Sequence, residues 1–226
     1  MKILALEFSS PQRSVAVVQD GAGAGNVSLS EAVEAGAGVT KTFGLVEQVL
    51  KEARLEREQI ECLAIGLGPG SYTGIRAAIA LAQGWRLARA VKLLGISSAE
   101  CVAAQAQAEG IAGRVNVVID AQRNEFYLAG YELGGETGRA LEPLRLATLA
   151  EVQKLATAGQ TMIGPEITRW FPQGRVILPR AGTLGKLALV RTDFTAGEKL
   201  EPIYLRETKF VKAPPPRIIP SLDSNP

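Results

Sequence analysis

The chain has no histidine among its 226 residues. That absence removes Ser–His–Asp and Cys–His nucleophile pairs, a histidine general base and imidazole metal sites together, and with them a protease reading. There are only two cysteines, Cys62 and Cys101, and both sit among apolar neighbours on a predicted strand and a predicted helix. Free buried thiols in a reducing compartment are the expected state. Aromatic residues make up 5% of the chain, too few for a base-stacking platform. The net charge of +2 lacks the basic footprint of a nucleic-acid binder. No apolar run reaches the roughly 18 residues of a membrane span. Met1-Lys2-Ile3-Leu4 enters a strand directly and Glu7 interrupts any signal-peptide core, so a cytoplasmic protein is expected. Any chemistry would rest on carboxylates, lysine, arginine, tyrosine or hydroxyls.

What is present is organised around Gly68-Pro69-Gly70-Ser71-Tyr72-Thr73-Gly74. A predicted buried strand over 61–67 precedes it, and a long alanine-rich helix from about Ile75 to Val91 follows. A glycine-rich turn between strand and helix can present backbone N–H groups to an anion. The pattern fits neither common phosphate loop. It ends Gly74-Ile75-Arg76 without the Walker lysine, and Ser71 stands where a dinucleotide fingerprint needs its third glycine. The alternative is a tight turn in which glycine supplies positive φ and Ser71 or Thr73 caps the helix.

The length allows one large domain or two small ones. Strands are predicted over Lys2–Glu7, Ser14–Gln19 and Asn26–Glu31, with a hairpin turn at Asp20-Gly21 and a flexible loop at Gly36–Gly38. An amphipathic helix follows from about Thr40 to Ala53, with Phe43, Val46, Val49, Leu50 and Ala53 at helical spacing. After the strand and helix already described come a strand at Lys92–Ile96 and a helix at Ser97–Ala108. This β-β-β-α-β-α-β-α order then starts again: strands at Val115–Asp120, Glu125–Tyr131 and Leu141–Leu146, a helix at Thr148–Ala158, short strands at Thr161–Gly164 and Val176–Leu178, and a helix at Ala181–Thr192. Pro214-Pro215-Pro216 marks a tail expected to be mobile. Each half opens on a strand ending in an acid, Glu7 or Asp120. Either these carboxylates face a metal–nucleotide complex across a cleft, as in the actin, Hsp70 and sugar-kinase group, or they end strands at a solvated edge.

The nonapeptide Gly68–Arg76 resembles the signature of the TsaB (YeaZ) family at every position. Ile3-Leu4-Ala5-Leu6-Glu7 with Ser14-Val15-Ala16-Val17 is similar to that family's opening hairpin. Val118–Tyr127 is similar to its Asp-Ala-Arg…Tyr segment, and Pro202-Ile203-Tyr204-Leu205-Arg206 to its closing Pro-x-Tyr-x-Arg. Two places depart. Glu7-Phe8-Ser9 replaces the usual Asp-Thr-Ser, which speaks against nucleotide or metal handling there, and Val39-Thr40-Lys41-Thr42 replaces a His-Ser pair.

The resemblance implies an α/β, actin-like (ASKHA) fold of two lobes, each an RNase H-like unit. The lobes would span 1–108 and 109–212, with a tail at 213–226. It implies a non-catalytic paralogue of TsaD, the subunit that transfers the threonylcarbamoyl group in making N6-threonylcarbamoyladenosine on tRNAs reading ANN codons. No cofactor is implied in this subunit; ATP and a metal are implied for the partners, a TsaD-like subunit and a TsaE-like ATPase. A homodimer is implied when the chain is alone, with tRNA met only through the complex. A partner interface is expected on the two helices of the first half. Ala80, Gly84 and Ala88 form a small-residue stripe beside Ala77, which lets another helix approach closely. Phe43, Val46, Leu50, Tyr72, Ile75 and Arg76 complete the expected set. Arg76, one turn into a helix whose dipole disfavours a cation there, asks for a carboxylate or phosphate, with Glu7, Asp120 or a ligand at the junction as possibilities. The competing enzyme reading is an actin-like Mg-ATP-dependent ATPase or small-molecule kinase using Glu7 and Asp120.

Overall fold

The computed structural model describes residues 1–21, 27–35, 42–135 and 138–206. Within them the chain forms two five-stranded sheets. β1 (Lys2–Glu7), β2 (Gln12–Asp20), β3 (Val27–Ala35), β4 (Cys62–Gly66) and β5 (Lys92–Ile96) build the first, in the order β3-β2-β1-β4-β5. β6 (Gly113–Asp120), β7 (Glu125–Leu133), β8 (Arg139–Thr148), β9 (Thr161–Gly164) and β10 (Arg175–Val176) build the second, in the order β10-β9-β6-β7-β8. Counted within each half, both sheets run 3-2-1-4-5. In each, the first three strands are antiparallel neighbours and the last two join in parallel. The duplication read from the strand order is therefore a duplication of topology.

The central strands are near-continuous apolar runs whose successive side chains point to opposite sides, so each sheet has two buried faces. In the first sheet Leu4, Leu6, Val15, Val17, Leu63 and Ile65 turn towards α1 (Thr42–Ala53) and α2 (Tyr72–Ala88). Ile3, Ala5, Ala16, Val18, Cys62 and Ala64 turn the other way. That second face is covered by α5 (Ala181–Leu189), which belongs to the second half of the chain. Reciprocally, α3 (Ser98–Ala108), from the first half, packs on β6, β7 and β9 of the second sheet. α3 and α5 touch, and together they fill the space between the sheets. α4 (Leu149–Thr157) covers the outer face of the second sheet. The boundary at residue 108 thus follows the chain, while the packing crosses it in both directions.

Small residues make this exchange possible. A Cβ at Gly185 of α5 would stand 2.4 Å from Val18 Cγ2. The first sheet also caps α5, whose own N-cap residue, Arg180, makes no capping bond. Ser14 Oγ accepts from the Ala181 N–H at 2.8 Å, and Glu31 accepts from the Gly182 N–H at 3.0 Å while pairing with Arg180 at 2.7 Å. Glu31 is largely buried and Arg180 more than a third exposed, so the ion pair itself adds little and the cap carries most of the effect. Glu31→Ala is expected to lower stability by about 1–2 kcal/mol in urea unfolding, with α5 losing amide protection before the second sheet does.

Element ends differ from expectation for local reasons. Ser71 accepts from the Gly74 N–H, so α2 starts at Tyr72, three residues early; it stops at Ala88 because Arg89 is extended. Ser97 stands just outside α3 as its cap, accepting from the Ala99 N–H, so the helix begins at Ser98. β3 and β8 run longer than the alternation suggests. The second half replaces its middle helix with a 3-10 turn at Ile167–Arg169, because Pro172 follows within a turn. The loop expected at Gly36–Gly38 and the tail at 213–226 lie outside the described residues.

Candidate functional site: the signature turn, the cleft and the face of helix α2

The backbone by itself requires glycine in the signature turn. Gly70 has φ +146°, and a Cβ there would lie 2.1 Å from the Ser9 carbonyl oxygen. A Cβ on Gly74 would lie 2.1 Å from the Phe8 carbonyl oxygen. The turn is pressed against the β1–β2 connection, and Ser71 N–H donates to Ser9 O at 2.7 Å. On its other side Gly68 N–H donates to Ser98 Oγ and Ser98 N–H donates to Gly68 O. The amides of Gly68, Ser71 and Gly74 all have protein partners. The tight turn and the Ser71 cap expected of the structural alternative are both present.

Glu7 is fully buried. One carboxylate oxygen accepts from Ser9 N–H at 2.8 Å and the other from the Ser98 hydroxyl at 3.0 Å. It fills the space over Gly66, where a Cβ would come within 2.1 Å of its Oε2. Burial raises its pKa above the ordinary 4.5, against the opposing effect of the Ser9 and Ser98 hydrogen bonds. Glu7 takes neither of its two possible places, a cleft acid or a solvated strand end: its extra methylene carries the carboxyl under the signature turn, where it pins β1 to the start of α3. Asp120 is half-buried, and its Oδ1 accepts from Gln122 N–H at 2.6 Å. It does border an open cleft between the lobes, of about 670 Å³, together with Ser9, Arg13, Ser71, Thr73 and Glu166. Glu7 lines no part of that cleft, so the two acids do not form the pair that a Mg-ATP site would use. Among the described residues no group of three or more acids and cysteines is placed to hold a metal. Burial pushes the Cys62 thiol up to about 11 and raises that of Cys101 well above its ordinary value, which disfavours the reactive thiolate at both.

The residues expected at a partner interface divide into two sets. Val46, Leu50 and Ile75 are buried in the first lobe's own core and are removed from the interface. On α1 and α2 they take the inward positions beside Leu45, Val49, Ala78, Ile79 and Ala82. Phe43, Tyr72, Arg76, Ala77, Ala80, Gly84 and Ala88 are all exposed. Phe43 is 73% exposed, and Leu87, which joins the stripe unforeseen, is 90% exposed. A side chain at Gly84 would meet nothing within 4 Å.

The segment after α5 decides which side of α2 stays open. Thr195 N–H pairs with Leu93 O and covers the edge of β5, while Leu200 enters the first lobe's core. Gln83 donates to Gly197 O at 2.9 Å and Arg86 to Thr195 O at 3.3 Å, so these two side chains are engaged by the strap. Further on, Ile203 N–H donates to Leu67 O. Tyr204 then stacks on Tyr72 at 5.9 Å and accepts from Arg76 Nε at 3.2 Å, and the Arg76 guanidinium lies 4.3 Å from the Tyr72 ring centre. Arg206 reaches the second lobe, donating to the carbonyls of Ala121 and Gln122 and pairing with Glu125. It steadies a turn in which Gln122, Arg123 and Asn124 all have left-handed φ, near 60°, a conformation that costs each non-glycine residue about 1–2 kcal/mol. The closing motif pointed to this segment, but its partners are not readable from spacing: Arg76 and Tyr204 are 128 positions apart.

Two duplicated sheets with exchanged helices, a cleft between them and a sealed strand-end acid define a two-lobed actin-like α/β protein. The family model described as TsaD, tRNA N6-adenosine threonylcarbamoyltransferase, matches residues 39–206. The Escherichia coli tRNA threonylcarbamoyladenosine biosynthesis protein TsaB is 30% identical over 223 residues, covering 91% of this chain and 95% of its own. Two Pseudomonas aeruginosa structures, one described as YeaZ and one as an uncharacterised protein with similarity to peptidase YeaZ, superpose with a TM-score of 0.75 at 26% identity. They cover 90% and 91% of this chain and 99% of their own. The chain belongs to the TsaB (YeaZ) family.

Proposed function

We propose that this chain is a non-catalytic subunit in the making of N6-threonylcarbamoyladenosine on tRNA, and that it binds and stabilises a TsaD-like transferase subunit. The observation that supports it most is the open face of α2. Ala77, Ala80, Gly84, Leu87 and Ala88 stand exposed on a helix whose remaining sides are taken by the lobe's core and by the strap. Small residues there allow helix axes to come together at the short end of the usual 8–10 Å range. In this reading the transfer chemistry, with its ATP and metal, belongs to the partner subunits, including a TsaE-like ATPase; the lack of histidine in this chain supports it. In isolation the same face would pair two copies about a twofold axis, and the working place is the cytoplasm.

Ala80→Arg combined with Gly84→Arg tests the reading. Both positions are exposed and Gly84 has open space, so the thermal midpoint should stay close to wild type. Co-expression with the organism's TsaD-like subunit should then yield no one-to-one complex, light scattering should show a monomer, and modified tRNA should be lost as it is when the chain is omitted. A variant that still co-purifies and still dimerises removes α2 from the interface.

A further inference from the structure

We infer that the closing segment 203–206 is a clasp across the mouth of the cleft, and that the two lobes swing apart about α3 and α5 when it lets go. The inference concerns the chain by itself and stands apart from the docking reading above. The cleft opens where β1 and β6 end, with Tyr72 of the first lobe and Gln122 of the second both lining it. The closing segment joins these two residues. Ile203 N–H is bonded to Leu67 O, and Tyr204 stacks on Tyr72 at 5.9 Å and accepts from Arg76 Nε at 3.2 Å, which fixes it to the first lobe. Two residues on, Arg206 donates to Ala121 O at 3.0 Å and to Gln122 O at 3.3 Å and pairs with Glu125, all in the second lobe. Two residues of extended chain span at most about 7 Å. A wider mouth therefore breaks one grip or the other.

The contrast between base and mouth decides which gives first. At the base, Val102, Ala103 and Ala106 of α3 are buried against the second sheet, and Ala181, Leu184 and Ala188 of α5 against the first. The two helices touch, so parting the lobes there would expose apolar core. At the mouth the contacts are polar and open to water: Tyr204, Arg206 and Glu125 are all partly exposed. Ion pairs of that kind are individually weak, and parts held by few buried contacts open at low free energy. The grip of Arg206 also falls on the 122–124 turn, whose three residues have left-handed φ. Such a conformation persists where its surroundings over-determine it, and Arg206 supplies part of that constraint. Clasp and turn are therefore released together.

The test places nitroxide spin labels on the two walls of the cleft in the full chain, at cysteines introduced by Thr73→Cys and Glu166→Cys. Both positions are exposed and line the cleft, and the native Cys62 and Cys101 are fully buried. Double electron–electron resonance then reads the distance between the labels. With the clasp intact a single narrow distance is expected. Arg206→Ala and Tyr204→Ala should each add a longer-distance population, and trypsin should cut after Arg123 about ten times faster in both, because cutting follows the open fraction. Tyr204→Ala carries the decision, since its stacking and hydrogen-bond partners lie in the first lobe. Faster cutting in Arg206→Ala alone, with the label distance unchanged in both variants, would overturn the clasp and leave Arg206 as a local prop for the turn. Wild-type distance and cutting in both variants would overturn it outright, as would a wild-type distribution that is already broad. Arg206→Lys and Tyr204→Phe, with smaller shifts expected, are read in the same way where a truncation does not fold.

Discussion

Gly74→Ala is expected to lower stability by more than about 3 kcal/mol, although alanine is the best helix former and glycine among the worst. Helix propensity alone predicts a gain of about 1 kcal/mol at a position inside α2. The contact opposes it. The new methyl would stand 2.1 Å from the Phe8 carbonyl oxygen, a backbone atom that cannot swing aside as a side chain can. Relief requires the turn to lift from the β1–β2 connection. That lift gives up the Ser71 N–H to Ser9 O bond and uncovers Phe8, one of the largest fully buried side chains. Overpacking against fixed backbone exceeds the usual cost of an added methylene, so the contact wins. Gly84→Ala, on the same helix with open space around it, is the control and should be neutral to stabilising. Urea unfolding of the two variants checks the contrast. A Gly74→Ala protein as stable as wild type would show that the signature turn is not held against the β1–β2 connection.

The second large effect belongs to Glu7 and carries a pH signature. Glu7→Ala removes the acceptor for two buried donors, Ser9 N–H and the Ser98 hydroxyl. Each unsatisfied donor costs about 1–3 kcal/mol, and the truncated side chain leaves a void over Gly66, so a loss of about 3 kcal/mol is expected where wild-type Glu7 is protonated. The sign of the pH dependence follows from the raised pKa. A folded carboxyl that binds its proton more tightly than the unfolded one stabilises the fold fully below the ordinary 4.5. That contribution declines as pH rises from 4.5 through the higher folded-state pKa. The cost of Glu7→Ala should accordingly be greatest near pH 4.5 and smaller at neutral pH, measured as the difference in urea unfolding from wild type. A cost that grows with pH would mean that the ionised form is the one the fold prefers, and that hydrogen bonding outweighs burial at this site.

Both effects bear on the departure Glu7-Phe8-Ser9 from the family's usual Asp-Thr-Ser. Phe8 lies in the core and its carbonyl sits against Gly74, while Glu7 is spent on internal hydrogen bonds. These residues act as the seat of the signature turn. The turn in turn sets where α2 begins and therefore which of its residues face outward.

Several properties were decided by the sequence alone, because their physics is local. Zero histidine excludes several chemistries whatever the fold. Unbroken apolar runs specify strands buried on both faces, and repeated strand order specifies a repeated sheet. Gly-Pro-Gly without a lysine specifies a turn and no Walker site, and alanine and glycine four apart on α2 specify a stripe of small residues. Other properties needed the tertiary structure. Which apolar residues of α1 and α2 are core could not be read from helices apolar on most sides: Val46, Leu50 and Ile75 face inward, while Phe43 and Leu87 remain outside. Glu7 became a sealed pin, and not a cleft acid, through Gly66 and Ser98, which lie far from it along the chain. The strap that brings Tyr204 to Arg76 and Arg206 to the 122–124 turn joins residues more than 75 positions apart, and the exchange of α3 and α5 between lobes likewise depends on packing between the two halves of the chain. Spacing along the chain encodes which face of an element a residue takes. What that face meets is settled only when sheets, helices and the closing segment compete for the same apolar surface.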